Sequence, residues 1–344
     1  MRVGLDLTPL LRSKTGIGVC TEMLAQGARD AGHEVIGVVS GWRWLRSGQS
    51  DLAFPTVRNW LPRSLKPVCN RVLRWPCVET FTGPLDLFVA TNYVVPPTRA
   101  ATSVAFVHDV GRLLHPHLYR PRQVRRFERA MRACARFADF ILVPTASVGR
   151  EISELGLFDH DRVRVLPLAV RPLPIPAQRD ATGRTDPMVL CVSSLERHKN
   201  IPTLIRAFRR IVRSQPHHLV LAGGRGGGAE EVRAAVRNSE IPESRIHFLG
   251  HVDENRLADL YRNAEVTVCP SLYEGFGLTV LEAMANGSPV IASDIPAHRE
   301  VAGDAAQFVS AQSEAEVADA LVDLIDDESR RGEFRARGLD RSRQ

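Results

Sequence analysis

Short runs of β-branched and apolar residues alternate with stretches of helical periodicity almost from the first residue. Val3 to Leu7 is the first such run, a helical pattern follows from about Ile17 to Ala31, and Glu34 to Val39 is the next run. That alternation predicts a parallel α/β sheet. Further strands are expected at Leu85 to Ala90, Ser103 to His108, Phe140 to Val143 and Val163 to Leu166. A second series begins at Met188 to Val192 and continues through His218 to Ala222, Ile246 to Leu249, Val266 to Cys269 and Pro289 to Ala292, with helices between. Two doubly wound, Rossmann-like domains are the expected outcome.

Between the two series, Leu166 to Pro187 carries five prolines and no sustained periodicity, which marks a linker. The expected organisation is a first domain over residues 1–168, a linker over 169–187 and a second domain over 188–344. Gly41 to Pro76 breaks the alternation. It holds all four tryptophans (Trp42, Trp44, Trp60, Trp75) among Arg43, Arg46, Arg58, Arg63, Lys66, Arg71 and Arg74. Rings interleaved with cations suit a membrane interface or a lipid-linked anion, and an irregular insertion packed on the first domain explains them equally well. After Pro121, five arginines (Arg122, Arg125, Arg129, Arg132, Arg136) step by three and four opposite Phe127, Met131 and Cys134, as on a solvated helix face.

Composition narrows the class. A chain of 344 residues with 44% hydrophobic positions builds its core without metal or disulfide staples. The six cysteines are scattered with no C-x-x-C pair, which fits a reducing cytosol. Residues 1–170 carry 23 Lys and Arg against 14 Asp and Glu, whereas residues 171–344 carry 22 against 25. The first half therefore faces an anionic partner: a membrane surface, a phosphorylated substrate or a nucleic acid. No 18-residue apolar run and no signal-peptide pattern occurs, so the expectation is a cytoplasmic protein that can still sit on a membrane. No nucleic-acid motif supports the last kind of partner. G-x-G-x-x-G is absent after either first strand, and G-x-x-x-x-G-K-[ST] is absent despite the glycines between 223 and 228. Nicotinamide chemistry and P-loop hydrolysis are thereby excluded.

The strongest chemical signal is SLYEGFGLTVLEAMANGSPVIASD, Ser271 to Asp294. Gly275 and Gly277 keep Glu274 in a loop, and a helix is expected from about Gly277 to Asn286, stopped by Gly287 and Pro289. Strand, glycine turn and helix N-terminus together make a site for a diphosphate. Glu282, two turns in, can accept hydrogen bonds from a diol. CVSSLERHKNIPTLIRAF, Cys191 to Phe208, ends one strand and opens a helix, placing Arg197 and Lys199 where a ligand crevice lies. In the first domain His108 and Asp109 end a strand, and Thr15-Gly16-Ile17-Gly18 links strand one to a helix.

Two glutamates with seven residues between them, in an E-G-F-G-L-x-x-x-E context, resemble the nucleotide-sugar signature of family 4 retaining glycosyltransferases. Among these the bacterial GDP-mannose-dependent mannosyltransferases of surface polysaccharide synthesis are nearest. The resemblance runs from Arg2 to about Asp327. It implies the GT-B fold, two Rossmann-like domains facing each other across a cleft. It also implies Glu274 near the donor sugar hydroxyls, the backbone of Gly275, Phe276, Gly277, Leu278 and Thr279 near sugar and phosphate, and Glu282 on the ribose. Lys199, and Arg197 one position early, would bind the leaving diphosphate; the family's Gly is Ser193 here and its Arg is His198. His108 would touch the donor sugar or the acceptor, Gly16 and Gly18 would let amides approach phosphate, and Ile246 to Val252 would hold the base. Family members continue past an R-x-R-G-L-x-R-S-R-like stretch into a helix that crosses back onto the first domain, so a chain stopping at Gln344 is expected to lack it.

The function so implied is transfer of a hexose, with mannose favoured, from a nucleoside-diphosphate sugar to a hydroxyl of a glycan or polyprenyl-linked acceptor. No metal or cofactor beyond the substrate GDP-mannose is expected, and an anionic membrane surface is a further partner. Ser193, His198 and the chain's ending motivate a second hypothesis, a GT-B scaffold that binds nucleotide without turnover.

Overall fold

The computed structural model describes residues 1–11, 16–40, 53–59, 76–170, 173 and 187–344. The chain forms two compact units, one of Met1–Leu114 with Pro121–Ala169, the other of Val170–Gln344 with the short segment His115–Arg120.

The first unit runs β1 (Arg2–Asp6), α1 (Gly16–Asp30), β2 (Glu34–Ser40), β3 (Thr56–Asn59), β4 (Leu87–Ala90), β5 (Thr102–Phe106), α2 (Pro121–Phe137), β6 (Phe140–Val143), α3 (Ala146–Glu154) and β7 (Val163–Val165). Its strands form one parallel sheet in the order β3-β2-β1-β4-β5-β6-β7. Because successive side chains point to opposite faces, β2, β4 and β5 each feed two cores. Val3, Leu5, Val35 and Val39 pack with Ala25 of α1, and Ile36, Val38, Phe88 and Ala105 pack with Phe127, Met131 and Cys134 of α2. The five arginines of α2 face solvent, as the periodicity predicted.

The second unit runs β8 (Met188–Val192), α4 (Ile201–Ile211), β9 (His218–Ala222), α5 (Ala229–Arg237), β10 (Ile246–Gly250), α6 (Glu254–Asn263), β11 (Val266–Cys269), α7 (Leu278–Ala285), β12 (Val290–Ser293), α8 (Pro296–Ala302), β13 (Gln307–Val309), α9 (Glu314–Asp326) and α10 (Glu328–Arg341). Its sheet is also parallel, in the order β10-β9-β8-β11-β12-β13. One face carries a single large core built from α4, α5, α9 and the strands. Side-chain caps start several helices: Asp253 accepts from the Arg256 amide at 2.8 Å, and Asp327 from the Arg330 amide at 2.9 Å.

Two strands escape the sequence reading. β3 lies inside the stretch read as an irregular insertion, where it pairs with β2 from Thr56 against Gly37 to Asn59 against Ser40. Four residues with one aliphatic side chain show too little alternation to be recognised. β13, three residues at the edge of the second unit's sheet, escapes for the same reason. The four tryptophans and most of the predicted linker lie outside the described residues. The R-x-R-G-L-x-R-S-R-like stretch forms α10, which docks on α7 and α9.

In both sheets the order reverses beside the first strand, between β1 and β4 and between β8 and β11. Loops leaving the carboxyl ends of such neighbours diverge and leave a crevice for ligands.

Candidate functional site

In the second unit that crevice holds Lys199 and Glu274. Lys199 ends a single 3-10 turn after β8, and Asn200 follows in the left-handed region (φ 53°), opening α4. The Asn200 side chain donates to the carbonyls of Pro270 (3.1 Å) and Ala311 (2.6 Å), and its oxygen accepts from Thr203 Oγ1 at 2.8 Å. This fixes the β8 loop against the β11 loop, where Lys199 Nζ donates to Glu274 Oε1 at 2.5 Å and Ser271 Oγ donates to the same oxygen at 2.7 Å. Both ends of the pair are largely buried. Burial pushes the Glu274 carboxyl up, but Lys199, His298 and His198 outweigh it and hold it at about 2. Burial likewise pulls the Lys199 ammonium down, and Glu274 overcomes it, so the ammonium lies above its ordinary range. The pair is fully ionised at neutral pH.

Gly275 to Gly277 lead from Glu274 into α7. Gly277 has φ 105°, and a Cβ there would sit 2.9 Å from Cδ2 of His298, so a side chain is excluded by both backbone and space. His298 is 0% exposed. Its Nδ1 donates to the Ser293 carbonyl at 3.0 Å, and its Nε2 is buried with no hydrogen-bond partner among the described residues. Burial pulls the ring's pKa below its ordinary value although Glu274 favours its cation. The first amides of α7, at Leu278 and Thr279, have no acceptor within their own helix, and groups of this kind suit an anion.

Glu282 stands on α7 and accepts from the buried Tyr261 phenol of α6 at 3.0 Å. Burial raises its carboxyl to about 7 against the lowering pull of that hydrogen bond, with Glu254 adding to the rise. Glu274 and Glu282 thus occupy the loop and the helix that the sequence predicted for them.

Arg197 is directed elsewhere. Its Nε lies 2.7 Å from Glu231 Oε1 of α5, so the guanidinium is committed to that carboxylate instead of joining Lys199 and Glu274. The reason is the glycine loop over residues 223–228, which packs against the β8 loop. At Gly223 (φ 149°) a Cβ would lie 1.9 Å from the Ser193 carbonyl oxygen. The Leu195 amide donates to Gly224 O, and the Gly228 amide to Leu195 O. Interlocked this way, the β8 loop presents Arg197 to the first turns of α5. Tyr261 and His298 act through contacts distant in sequence, to Glu282 and Gly277, which no spacing rule reveals; Ser271, three positions before Glu274, is a local partner that carries no pattern of its own.

In the first unit His108 follows β5 and is partly buried. Its Nε2 donates to the Thr91 carbonyl at 2.9 Å, which makes Nδ1 the acceptor nitrogen of the neutral ring. Burial holds its pKa below the ordinary value despite Thr91 and Asp109. Asp109 accepts from the Gly111 amide at 2.9 Å, closing a tight turn. Gly16 and Gly18, expected in a loop, belong to the first turn of α1 at the carboxyl end of β1. Their amides are helix N-terminal groups, as at the start of α7.

Two family descriptions match the chain in tandem: "Glycosyl transferase 4-like domain" over residues 15–169 and "Glycosyl transferases group 1" over residues 175–341. Among curated proteins the chain is similar to O-antigen chain mannosyltransferase B of Escherichia coli, 27% identical over 72% of this chain and 68% of that protein. It is also similar to O-antigen chain mannosyltransferase RfbU of Salmonella typhimurium, 28% identical over 67% of this chain and 63% of that protein. Of solved structures, sucrose-phosphate synthase from Thermosynechococcus elongatus superposes with a TM-score of 0.78 over 99% of this chain and 93% of its own, at 21% identity. That likeness shows the GT-B fold. With one family description on each of its two units, the chain belongs to the glycosyltransferases that pair a 4-like domain with a group 1 domain.

Proposed function

We propose that the protein is a metal-independent, retaining hexosyltransferase of family 4 that moves mannose from GDP-mannose to a hydroxyl of a glycan or polyprenyl-linked acceptor. The observation that carries this reading is the largely buried Lys199–Glu274 pair, its glutamate four positions before the first residue of α7. A cation and free amides match a diphosphate, and an ionised carboxylate matches sugar hydroxyls. Held at about 2, Glu274 accepts hydrogen bonds and does not deliver a proton. In the front-face reaction, the acceptor hydroxyl attacks the anomeric carbon as its bond to the diphosphate breaks, and the leaving phosphate oxygen takes the acceptor's proton. Lys199 and the α7 amides stabilise the charge that develops on that phosphate. The names of the mannosyltransferase relatives favour mannose, and a polyprenyl-linked acceptor places the reaction at the cytoplasmic face of a membrane.

Incubation with a panel of nucleotide sugars, with and without EDTA, tests the proposal by the nucleoside diphosphate released. Release from GDP-mannose undiminished by EDTA is expected. Loss of activity in EDTA, or release from another nucleotide sugar alone, overturns the metal or the sugar assignment respectively. The Arg197–Glu231 pairing favours a second reading, a scaffold that binds nucleotide without turnover, for which the panel would give binding and no release with any acceptor.

A further inference from the structure

Glu282 carries a carboxylate whose terminal torsion is intrinsically broad, so its usefulness to a ligand depends on what holds it. Tyr261 comes from α6, 21 positions earlier, and is 0% exposed. A buried phenol requires a hydrogen-bond partner, and this one donates to Glu282 Oε2 at 3.0 Å. Among the described residues no other side chain hydrogen-bonds that carboxylate. Tyr261 stays a donor at every physiological pH, since burial and the neighbouring carboxylate push its own ionisation well above the ordinary range. The groups facing the pair are Glu254 on α6 and the buried thiols Cys269 on β11 and Cys191 on β8. None of them supplies a positive charge.

A carboxylate has about four acceptor positions, of which the phenol occupies one. Resting on the reading of Glu282 as the acceptor for a donor ribose, we propose that Tyr261 is a positioning residue for ribose recognition, fixing the Glu282 carboxylate so that its remaining acceptor positions meet the vicinal 2′- and 3′-hydroxyls. Discrimination between ribonucleotide and deoxynucleotide donors is then set by a side chain that touches no ligand. The energetic source is the cost of holding a carboxylate in one rotamer, which the fold meets in advance with a buried hydrogen bond instead of drawing it from binding.

Titration calorimetry on the full chain tests this with GDP and UDP, each beside its 2′,3′-dideoxy analogue. The wild type is expected to prefer the ribonucleotide. Tyr261→Phe, which removes one oxygen and keeps the ring, should weaken ribonucleotide binding by roughly 5- to 20-fold and leave the dideoxy analogue within about twofold, so that the preference collapses. Equal weakening of both analogues would mean that Tyr261 only supports packing, and an unchanged preference would mean that Glu282 needs no orienting; either overturns the proposal. Glu282→Gln separates the underlying reading. If the ribose preference survives that change, Glu282 is not the ribose acceptor and both ideas fall. If Glu282→Gln abolishes the preference while Tyr261→Phe retains it, only the role of Tyr261 is lost. Absence of binding by all four compounds to the wild type overturns both.

Discussion

Glu274 and Glu282 stand eight positions apart, yet their surroundings move them in opposite directions, one down to about 2 and the other up to about 7. Cations beside the first outweigh burial; the second has burial and a nearby carboxylate against a single phenol. Stability follows the sign of each shift. The folded protein prefers ionised Glu274, so that contribution is complete above the unfolded value near 4.5 and is lost as pH falls through 2. It prefers protonated Glu282, so that contribution is complete below about 4.5 and is lost as pH rises through 7. Ligand-free Glu282→Gln should therefore show a flatter fall in Tm between pH 4.5 and 7.5 than the wild type, and identical slopes would refute the raised carboxyl. Glu274→Gln leaves Lys199 largely buried without its counter-charge, for which roughly 3 kcal/mol of stability lost at pH 7 is expected in urea unfolding. Lys199→Ala should lower kcat at least roughly 100-fold, as loss of a donor to a developing anion does; a smaller loss would move the leaving-group role elsewhere. The two glutamates and the lysine were legible in the sequence because glycine turns and a helix start fix their places locally. Arg197 was not, since nothing near it in the chain announces Glu231, 34 positions on.

At the scale of elements, strands buried on both faces were readable as apolar runs, and Met188–Val192, His218–Ala222 and Val266–Cys269 fall where the runs predict. The edge strands β3 and β13 were not, because half-exposed segments of three or four residues carry little pattern. The same scale explains how α7 is held. Arg335 Nε of α10 donates to the Gly287 carbonyl at 2.8 Å, just past the end of α7. Arg341 donates to the carbonyls of Val301 and Glu300 at the end of α8, and Gly338 lets the α10 backbone approach Met284. Cationic side chains near helix C-termini satisfy carbonyls that the helix cannot. The C-terminal end of α7 is thus clamped by α10. Gly277→Ala forces a carbon toward His298 from a backbone conformation that alanine resists, at a cost of about 1 to 3 kcal/mol. Lower Tm together with weaker nucleoside diphosphate binding is the expected result, and unaltered binding would mean that the loop adapts.

At the scale of the whole molecule, the doubly wound architecture followed from the alternation of runs alone, whereas the tryptophan and arginine segment has a composition and no further legible pattern. The first 170 residues carry nine more basic than acidic side chains, and each cation near an anionic leaflet contributes about 1 kcal/mol. If the proposed membrane-linked acceptor is right, the protein should float with anionic vesicles and be released as salt rises. Equal recovery on neutral and anionic vesicles, or none on either, would remove the membrane from the proposal and leave the transferase in place. No described helix is long and apolar enough to cross a bilayer. The bonds that Asn200 makes to Pro270 and Ala311 join residues 70 and 111 positions apart, and they set a timetable. Contacts of such separation form slowly, after the local helices that precede them. The β8 loop cannot take its ligand-ready shape until β11 and β13 have joined the sheet. During refolding, competence to bind nucleotide should therefore trail the recovery of helical signal.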